Sequence, residues 1–277
     1  MADANALILE LRQKTGAGFM DCKKALTESN GKVEDALTIL RKKGLADAAK
    51  RAARTMKEGK VGCLVGAGGG AIVEVSCETD FVARTPDFEA LVAKLAEKTA
   101  SGTLSSPEGA KDDIAPLAAK LGENITLRRL ERFAAQKDRF TGAYVHHGGK
   151  IGALIEMSAP GYAAKSDVIA ALSKEILLQI VGFSPRYLRR EEVPAEIIAK
   201  EKEIHAEVLR KEGKPEAAVA KIVEGKINKL FYQAFCLLDQ MSVRDNKTPV
   251  SKLIEDAGKQ LGQSVTVTRF ARYQVGE

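Results

Sequence analysis

The chain has 277 residues, of which 45% are hydrophobic, 29% charged and 5% aromatic, and it contains no Trp. Acidic residues (37) nearly balance basic ones (43), which leaves a net charge of +6. This mildly basic balance permits an acidic partner but does not require nucleic acid, and the shortage of aromatic residues argues against recognition of stacked bases. A chain of this length has room for two domains.

The cysteines and the N-terminal residues indicate a cytoplasmic protein. The four cysteines are scattered without a CxxC pair or a Cys/His cluster, which argues against a zinc site and a disulfide framework. The first residues are acidic and lack the apolar core of a signal peptide. No apolar run approaches the ~18 residues of a membrane span. We therefore expect a soluble, cytoplasmic protein without a metal or another cofactor.

The N-terminal part is predicted to form three short helices. Apolar residues recur at helical spacing in each, and the helices are expected to stop at Gly16–Gly18, Asn30–Gly31 and Gly44. Since a bundle of about 45 residues buries little surface, we expect it to act as a docking module. The basic stretch 45–60 follows it. We interpret this stretch as a solvated linker helix, and a nucleic-acid patch is the alternative.

An internal repeat organises the rest of the chain. The matching stretches are 62–65 with 142–145, 71–76 with 153–158, and 121–133 with 261–273. Each copy has the pattern of a glycine-turned hairpin, then helix, then a further strand. In the first copy, helices are predicted from Pro86 to about Thr99 and from about Lys111 to Leu121. We therefore predict an α+β fold with two related subdomains, each a three-stranded, mostly antiparallel sheet with helices on one face.

The second copy is longer because of an insertion near 183–245. Pro194 suits the first turn of a helix, Gly213-Lys-Pro215 breaks it, and a second apolar stripe runs from Val219 to Leu237. This pattern predicts a helical hairpin that projects as an arm. The stripe either packs between the two helices or faces a partner. The predicted domains are 1–54 (helical docking domain with linker helix), 55–140 (first subdomain), 141–182 with 246–277 (second subdomain), and 183–245 (arm).

A search for catalytic groups finds no convincing site. The stretch Gly66-Ala-Gly-Gly-Gly-Ala71 formally fits a dinucleotide-binding turn, but β-branched residues follow it where a helix would be needed, so we predict a hairpin turn. His146 and His147 are adjacent but have no further metal ligand in view, and a surface contact is the favoured interpretation. Cys77 lies beside Glu78 and Asp80, and these carboxylates should raise its pKa.

The segment Thr79-Asp-Phe-Val82 follows a strongly β-patterned run. An acid beside an aromatic ring at the end of a strand, expected here to lead into a loop, suits contact with another protein better than catalysis. The alternative is that Phe81 is buried beside Val82 and that Asp80 caps a helix. The second copy has Ala159-Pro-Gly161 at this place, so the fold does not require the acid–aromatic pair.

Two motifs carry a specific family resemblance. Thr15-Gly-Ala-Gly-Phe-Met-Asp-Cys-Lys-Lys-Ala-Leu26 and Cys77-Glu-Thr-Asp-Phe-Val-Ala-Arg84 resemble the bacterial elongation factor Ts family. Stretches 121–125, 147–152 and 225–229 follow the family pattern in the same order, so the resemblance spans the chain. Members of this family are non-enzymatic guanine-nucleotide exchange factors for the translational GTPase elongation factor Tu. The resemblance implies a UBA-like N-terminal bundle and a coiled-coil arm.

The resemblance also implies a set of partner contacts. Within Thr79, Asp80, Phe81 and Val82, the acid and the ring intrude beside the Mg²⁺ site of the GTPase, so that metal and then GDP leave. The other implied contacts are Met20 and Lys23 in the docking bundle, Ile125 in a loop that supports the same surface, and His147 against the distal β domain of the GTPase. The implied partner is GDP-bound or nucleotide-free elongation factor Tu, with no direct nucleotide, cofactor or membrane contact. A homodimer or a 2:2 complex is compatible with it.

Two departures from the family pattern affect this transfer. Gln240-Met-Ser-Val243 stands where the family often has Gln-Pro-Phe. The sequence ends at Glu277, where some members continue into a helix that grips the GTPase, so we expect the bundle and the Asp80–Phe81 segment to carry more of the contact. Two other functions stay open. One is RNA or ribosome binding through the basic stretch, and the other is a small-molecule enzyme built on the two α+β layers.

Overall fold

The computed structural model describes residues 4–51, 54–161 and 166–277. The α-helices in these ranges are α1 (Ala4–Thr15), α2 (Phe19–Glu28), α3 (Val33–Arg51), α4 (Asp80–Ala83), α5 (Pro86–Ser101), α6 (Lys111–Leu121), α7 (Ser166–Phe183), α8 (Ala195–Lys211), α9 (Glu216–Lys226), α10 (Gln233–Phe235) and α11 (Val250–Leu261). The strands are β1 (Glu58–Gly66), β2 (Gly69–Cys77), β3 (Ile125–Ala134), β4 (Arg139–Val145), β5 (Ile151–Ser158) and β6 (Thr266–Gln274). No helix in these ranges has the length and hydropathy that crossing a membrane requires.

The N-terminal helices form the expected bundle, with one correction at its end. The stop after α2 is confirmed, since Asn30 and Gly31 both have positive φ (50° and 80°). The predicted stop at Gly44 is wrong, because α3 continues to Arg51. One glycine inside a helix costs only about 1 kcal/mol, and the following residues are mostly good helix formers. The basic stretch is therefore not one linker helix, since its last residues belong to β1.

The repeat forms two three-stranded antiparallel sheets, as predicted. Their strand orders are β1-β2-β3 and β4-β5-β6, so the second strand of each hairpin, β2 or β5, is the middle strand of its sheet. Gly66 pairs with Gly69 across a tight turn, and β2 follows directly. This confirms the predicted hairpin turn and excludes the nucleotide-binding turn at this place. The predicted helices of the first copy are also confirmed as α5 and α6.

The two sheets pack against each other, and helices cover their other faces. α5 lies on the first sheet, while α7 lies on the second and α11 packs against α7. Alternate residues of each strand face the other sheet, because successive side chains on a strand point to opposite faces. The residues buried between the sheets are Val61, Ile72, Phe133, Leu154, Ala271 and Tyr273. The result is a core with helices outside and two sheets inside.

The interface between the sheets contains the same arrangement of an acid, an arginine and an aromatic ring twice, and we call each arrangement a polar frame. Glu74 is fully buried and accepts a hydrogen bond from Arg129 Nε at 2.6 Å, and Arg129 also lies over the ring of Tyr273 at 4.2 Å. At the equivalent positions, Arg269 Nη2 donates to Glu156 at 3.0 Å, and the Arg269 guanidinium lies 4.0 Å over Phe133. Each arginine thus pairs with an acid of its own sheet and stacks on a ring of the other.

The insertion forms a helical hairpin from α8 and α9, which turn at Gly213 (φ 75°). Val219 and Val223 are buried against Leu209, so these residues of the apolar stripe pack between the helices. The apolar residues that stay more than 40% exposed on the hairpin and its continuation are Ile204, Val208 and Leu230. Leu237 does not belong to the arm stripe as expected, because it is buried in the core of the second subdomain.

Candidate partner-binding surface

The segment after β2 forms a short helix rather than the expected loop. α4 begins at Asp80, and the Thr79 hydroxyl accepts a hydrogen bond from the Val82 N–H at 3.3 Å. Thr79 is therefore the N-cap of α4, a position that favours Thr because its oxygen satisfies a free N–H of the first turn. The alternative in which Asp80 is the cap is wrong. We call Thr79–Val82 the tip.

Phe81 is the most exposed large hydrophobic residue in the described ranges, with 81% of its surface accessible. Val82 is 8% exposed and packs in the core of the first subdomain. The two neighbours therefore separate, and burial of Phe81 in the core, left open by the sequence, is excluded. Asp80 forms an ion pair with Arg84 at 3.0 Å on the solvent side of α4. The tip thus presents a ring and a paired carboxylate, while Val82 anchors it from below.

Met20 and Lys23 lie exposed on α2, at the surface of the N-terminal bundle. Met20 is 60% exposed and Phe19 is 42% exposed, so the beginning of this helix shows an apolar surface. Sequence reasoning named Met20 but not Phe19, although both belong to the same motif. An exposed apolar pair on a small bundle is typical of a docking contact.

Ile125 and His147 occupy different kinds of position. Ile125 is the first residue of β3, pairs with Cys77 and is 5% exposed, so its expected place in a loop is wrong. Its pairing in the strand places Ile125 in the core beneath the tip. His147 is exposed in the turn between β4 and β5. That turn is tied to the first sheet, because Gly149 C=O accepts from the Val61 N–H at 2.7 Å.

Near the tip, the candidate groups for chemistry are metal ligands and the thiol of Cys77. Among the described residues, no cluster of three or more His, Cys, Asp or Glu side chains could hold a metal ion. The pKa of Cys77 is raised to about 12, mainly by burial and then by the nearby Glu123 carboxylate. The predicted direction is confirmed, but the carboxylate is not one of the two named from the sequence. A protonated, buried thiol is a poor nucleophile.

The basic stretch is partly neutralised where its side chains are described. Arg54 Nη1 lies 3.4 Å from Glu78, and Lys60 forms an ion pair with Glu89. Paired cations attract phosphate less than free ones, because an adjacent carboxylate cancels their charge. The side chains of residues 45–51 lie outside the described part, as do residues 52 and 53. Among the basic residues of the stretch, the structure therefore describes the side chains of Arg54, Lys57 and Lys60.

The described residues form a two-sheet α+β protein with an exposed aromatic ring at the tip and an exposed apolar start of α2. The family model described as "Elongation factor TS" matches residues 78–277. A relative named elongation factor Ts from Clostridium perfringens (strain SM101) is 41% identical over 98% of this chain and 92% of its own length.

Two further relatives carry the same name. The protein from Nitratidesulfovibrio vulgaris (strain DP4) is 41% identical over 100% of this chain and 97% of its own length. The protein from Clostridium acetobutylicum is 43% identical over 100% of this chain and 93% of its own length. The chain therefore belongs to the elongation factor Ts family, which places it among the elongation factors of protein biosynthesis.

Proposed function

We propose that this chain binds elongation factor Tu in its GDP form and promotes release of GDP, after which GTP binds. The observation that carries the proposal is the exposure of Phe81 on a short, capped helix. A phenylalanine that stays in water forgoes roughly 1.5–3 kcal/mol of burial free energy. Such a ring at the end of a well-packed subdomain is a ready contact for an apolar pocket on a partner.

The proposed mechanism is displacement of the metal rather than chemistry on the nucleotide. The ring of Phe81 wedges between side chains of the GTPase beside its Mg²⁺ site and shifts an element that helps hold the ion. Mg²⁺ is the largest charge that neutralises the diphosphate, so its loss weakens GDP binding. Asp80 enters with the ring, and its ion pair with Arg84 has to open or move for the carboxylate to act on the partner.

Thermodynamic linkage explains how the cycle ends. If the bound factor weakens GDP binding, then bound GDP weakens factor binding by the same ratio. The factor therefore needs no chemistry of its own. Binding of GTP in excess over GDP displaces it from the GTPase.

Additional contacts would fix the angle of the tip. We assign docking on the nucleotide-binding domain to Met20 and Lys23, and contact with the distal β domain to His147. Ile125 acts indirectly, because it packs beneath the tip and does not reach the surface. Two anchors on separate domains of the partner give a small wedge leverage, since they stop the factor from rotating away.

Several family features complete the proposal. The bundle would be UBA-like and the arm a coiled coil, with domain limits at 1–54, 55–140, 141–182 with 246–277, and 183–245. The complex would form in the cytoplasm as a 1:1 or a 2:2 assembly. The exposed apolar residues of the arm are available for contact with the GTPase or with a second copy of the chain.

The test is release of a fluorescent GDP analogue from elongation factor Tu into excess unlabelled GDP. Substoichiometric amounts of the chain should accelerate release strongly, and high free Mg²⁺ should slow the accelerated reaction because it opposes loss of the metal. Unchanged release would overturn the proposal. The RNA alternative predicts binding that weakens steeply with salt, and the enzyme alternative predicts turnover of a small molecule without any GTPase.

A further inference from the structure

The base of the tip is held by a carboxylate that lies outside the assigned contact residues. Glu123 follows Gly122, whose φ of 72° ends α6 and turns the chain toward β3. Glu123 Oε2 accepts from the N–H groups of Glu78 (3.2 Å) and Thr79 (3.1 Å), and Oε1 accepts from the Thr79 hydroxyl (2.6 Å). One side chain therefore fixes the backbone of two consecutive residues.

A second carboxylate makes the connection reciprocal. The ladder between β2 and β3 ends where Cys77 pairs with Ile125. Beyond that pair, Glu78 Oε1 accepts from the N–H of Asn124 at 2.7 Å, while Glu123 accepts from the opposite segment. Side-chain oxygens thus continue the strand pairing for two residues past its last backbone pair. Hydrogen bonds to a charged acceptor are stronger than those between neutral groups.

The Thr79 hydroxyl connects this clamp to α4. A hydroxyl has one proton to donate, and it donates it to Glu123. Its lone pairs are then free to face α4, where the oxygen accepts from the Val82 N–H. Glu123 therefore orients the group that starts the helix carrying Phe81. The position of the ring follows from that helix start.

The described residues of the second subdomain show a different arrangement at the equivalent place. Gln263 stands where the first copy has Glu123, and the segment after β5 is held by a different residue. There, Asp138 Oδ1 accepts from the Gly161 N–H at 3.2 Å. Both subdomains form the same kind of sheet, but only the copy with the tip has a carboxylate at this position. The Glu123 carboxylate is therefore not required by the fold.

We propose that Glu123 is the positioning residue of the tip, which fixes Phe81 in its exposed orientation before the GTPase binds. This inference rests on the proposed exchange function. Because Glu123 acts on the tip and not on the distant anchors, its loss lowers the maximal rate of GDP release and leaves docking largely intact. A tip whose backbone is already held loses less conformational freedom on binding, which is the advantage of preorganisation.

The test titrates Glu123→Ala against elongation factor Tu loaded with a fluorescent GDP analogue. The maximal release rate should fall on the order of tenfold, because a displacement of about 1 Å at a positioned group can cost up to a hundredfold. The concentration for half-maximal release should change little, since Met20, Lys23 and His147 are untouched. Thr79→Val should lower the maximal rate as well, and the double variant should be no worse than the more damaging single one, because both remove one linked unit.

Asp245 offers a matched control. Its carboxylate also accepts three hydrogen bonds, from the Lys247 N–H (2.9 Å), the Thr248 N–H (3.0 Å) and the Thr248 hydroxyl (2.6 Å). Asp245 lies in the segment before α11. Asp245→Ala should lose comparable local hydrogen bonding and keep the wild-type maximal rate. If Asp245→Ala slows release as much as Glu123→Ala, the effect is general destabilisation and the inference is wrong.

Amide hydrogen exchange provides a reading that does not depend on the GTPase. In Glu123→Ala, the amide protons of Glu78 and Thr79 should exchange faster, while those in β5 should not change. If Glu123→Ala folds poorly, Glu123→Gln replaces it, and it should show a smaller loss because the amide oxygen can still accept both N–H groups. Full activity of the Glu123 variants beside an active wild type overturns this inference, whereas an inactive wild type overturns the exchange function instead.

Discussion

The first and second core subdomains each contain a buried acid, a partly exposed arginine and a buried aromatic ring, but they differ in the segment after their middle strand. Glu74 with Arg129 and Glu156 with Arg269 occupy equivalent places, and each arginine stacks on a ring of the other sheet. After β2 comes the tip with exposed Phe81, whereas Ala159-Pro-Gly161 comes after β5. The shared part builds the interface between the sheets, so the unshared part is free for contact with a partner.

This difference separates residues that maintain the fold from residues that face solvent. Phe133 and Phe81 are both phenylalanines of the first subdomain, but one is fully buried and the other is 81% exposed. Removal of the first should therefore be costly to stability, and removal of the second should be costly only to function. Substitutions in the shared frames and in the tip test whether the two sets of residues are distinct.

The largest effect on stability is expected from Phe133→Ala. The ring lies between the two sheets and carries the Arg269 guanidinium on its face. Its loss should lower the free energy of unfolding by about 3–5 kcal/mol, as for other fully buried phenylalanines. Urea denaturation measures this. Tyr273→Phe, which gives the second copy the ring of the first, should cost less than about 1.5 kcal/mol, and a large loss there would show that the two rings are not equivalent.

Glu74→Gln and Glu156→Gln should have similar, smaller effects if the two frames are equivalent. Each change replaces a charged acceptor of an arginine hydrogen bond, which should lower the free energy of unfolding by about 2 kcal/mol. We place the value below that of a fully buried ion pair, because Arg129 and Arg269 are 33% and 41% exposed. Unequal losses in chemical denaturation would mean that one subdomain depends on its frame more than the other.

The pH dependence of stability should report the second frame. Burial opposes ionisation of Glu156, but hydrogen bonds from Arg269 and Thr268 outweigh it and hold its pKa below the ordinary value of 4.5. A folded-state pKa below the unfolded one stabilises the fold above pH 4.5, and this contribution is lost as pH falls through the folded-state pKa. Unfolding free energies at a series of acidic pH values should therefore fall less steeply in Glu156→Gln than in the wild type. An identical slope would contradict the assignment.

The smallest effect is expected at the ion pair of the tip. Arg84 and Asp80 are 77% and 41% exposed, in contrast to the buried acids of the two frames. Exposed pairs contribute little, so Arg84→Ala should change the free energy of unfolding by less than about 0.5 kcal/mol. Thermal or urea unfolding measures this change. A loss as large as that of Glu74→Gln would mean that the tip supports the fold after all.

Much of the architecture follows from local sequence patterns. Alternating apolar residues and glycine turns predicted all six strands, because a strand with one face in the core needs that period. The helix end that the sequence predicts at Gly44 is wrong, since a single glycine is only weakly unfavourable in a helix and the residues after it favour continuation. The loop position that the family resemblance implies for Ile125 is also wrong, because Ile125 pairs with Cys77 as the first residue of β3.

The site was less predictable because its geometry depends on distant residues. Phe81 and Val82 are adjacent apolar residues, and the sequence alone does not show which of them is buried. The helical turn capped by Thr79 directs their side chains to different sides. The clamp by Glu123 joins residues more than 40 positions apart in the chain, and a carboxylate in a loop is otherwise an ordinary surface residue. The comparison of the repeat copies, with Gln263 at the equivalent place, is the signal that could have pointed to it.

The role of Phe81 as the wedge is tested by Phe81→Ala, measured for both GDP release and unfolding. The exposed ring should be dispensable for the fold, so the free energy of unfolding should change by less than about 0.5 kcal/mol, while most of the acceleration of GDP release is lost. Phe183→Ala, at a phenylalanine that is 48% exposed at the end of α7, should retain the acceleration. If Phe81→Ala releases GDP as fast as the wild type, or loses activity only because it unfolds, the assignment of Phe81 as the wedge is wrong.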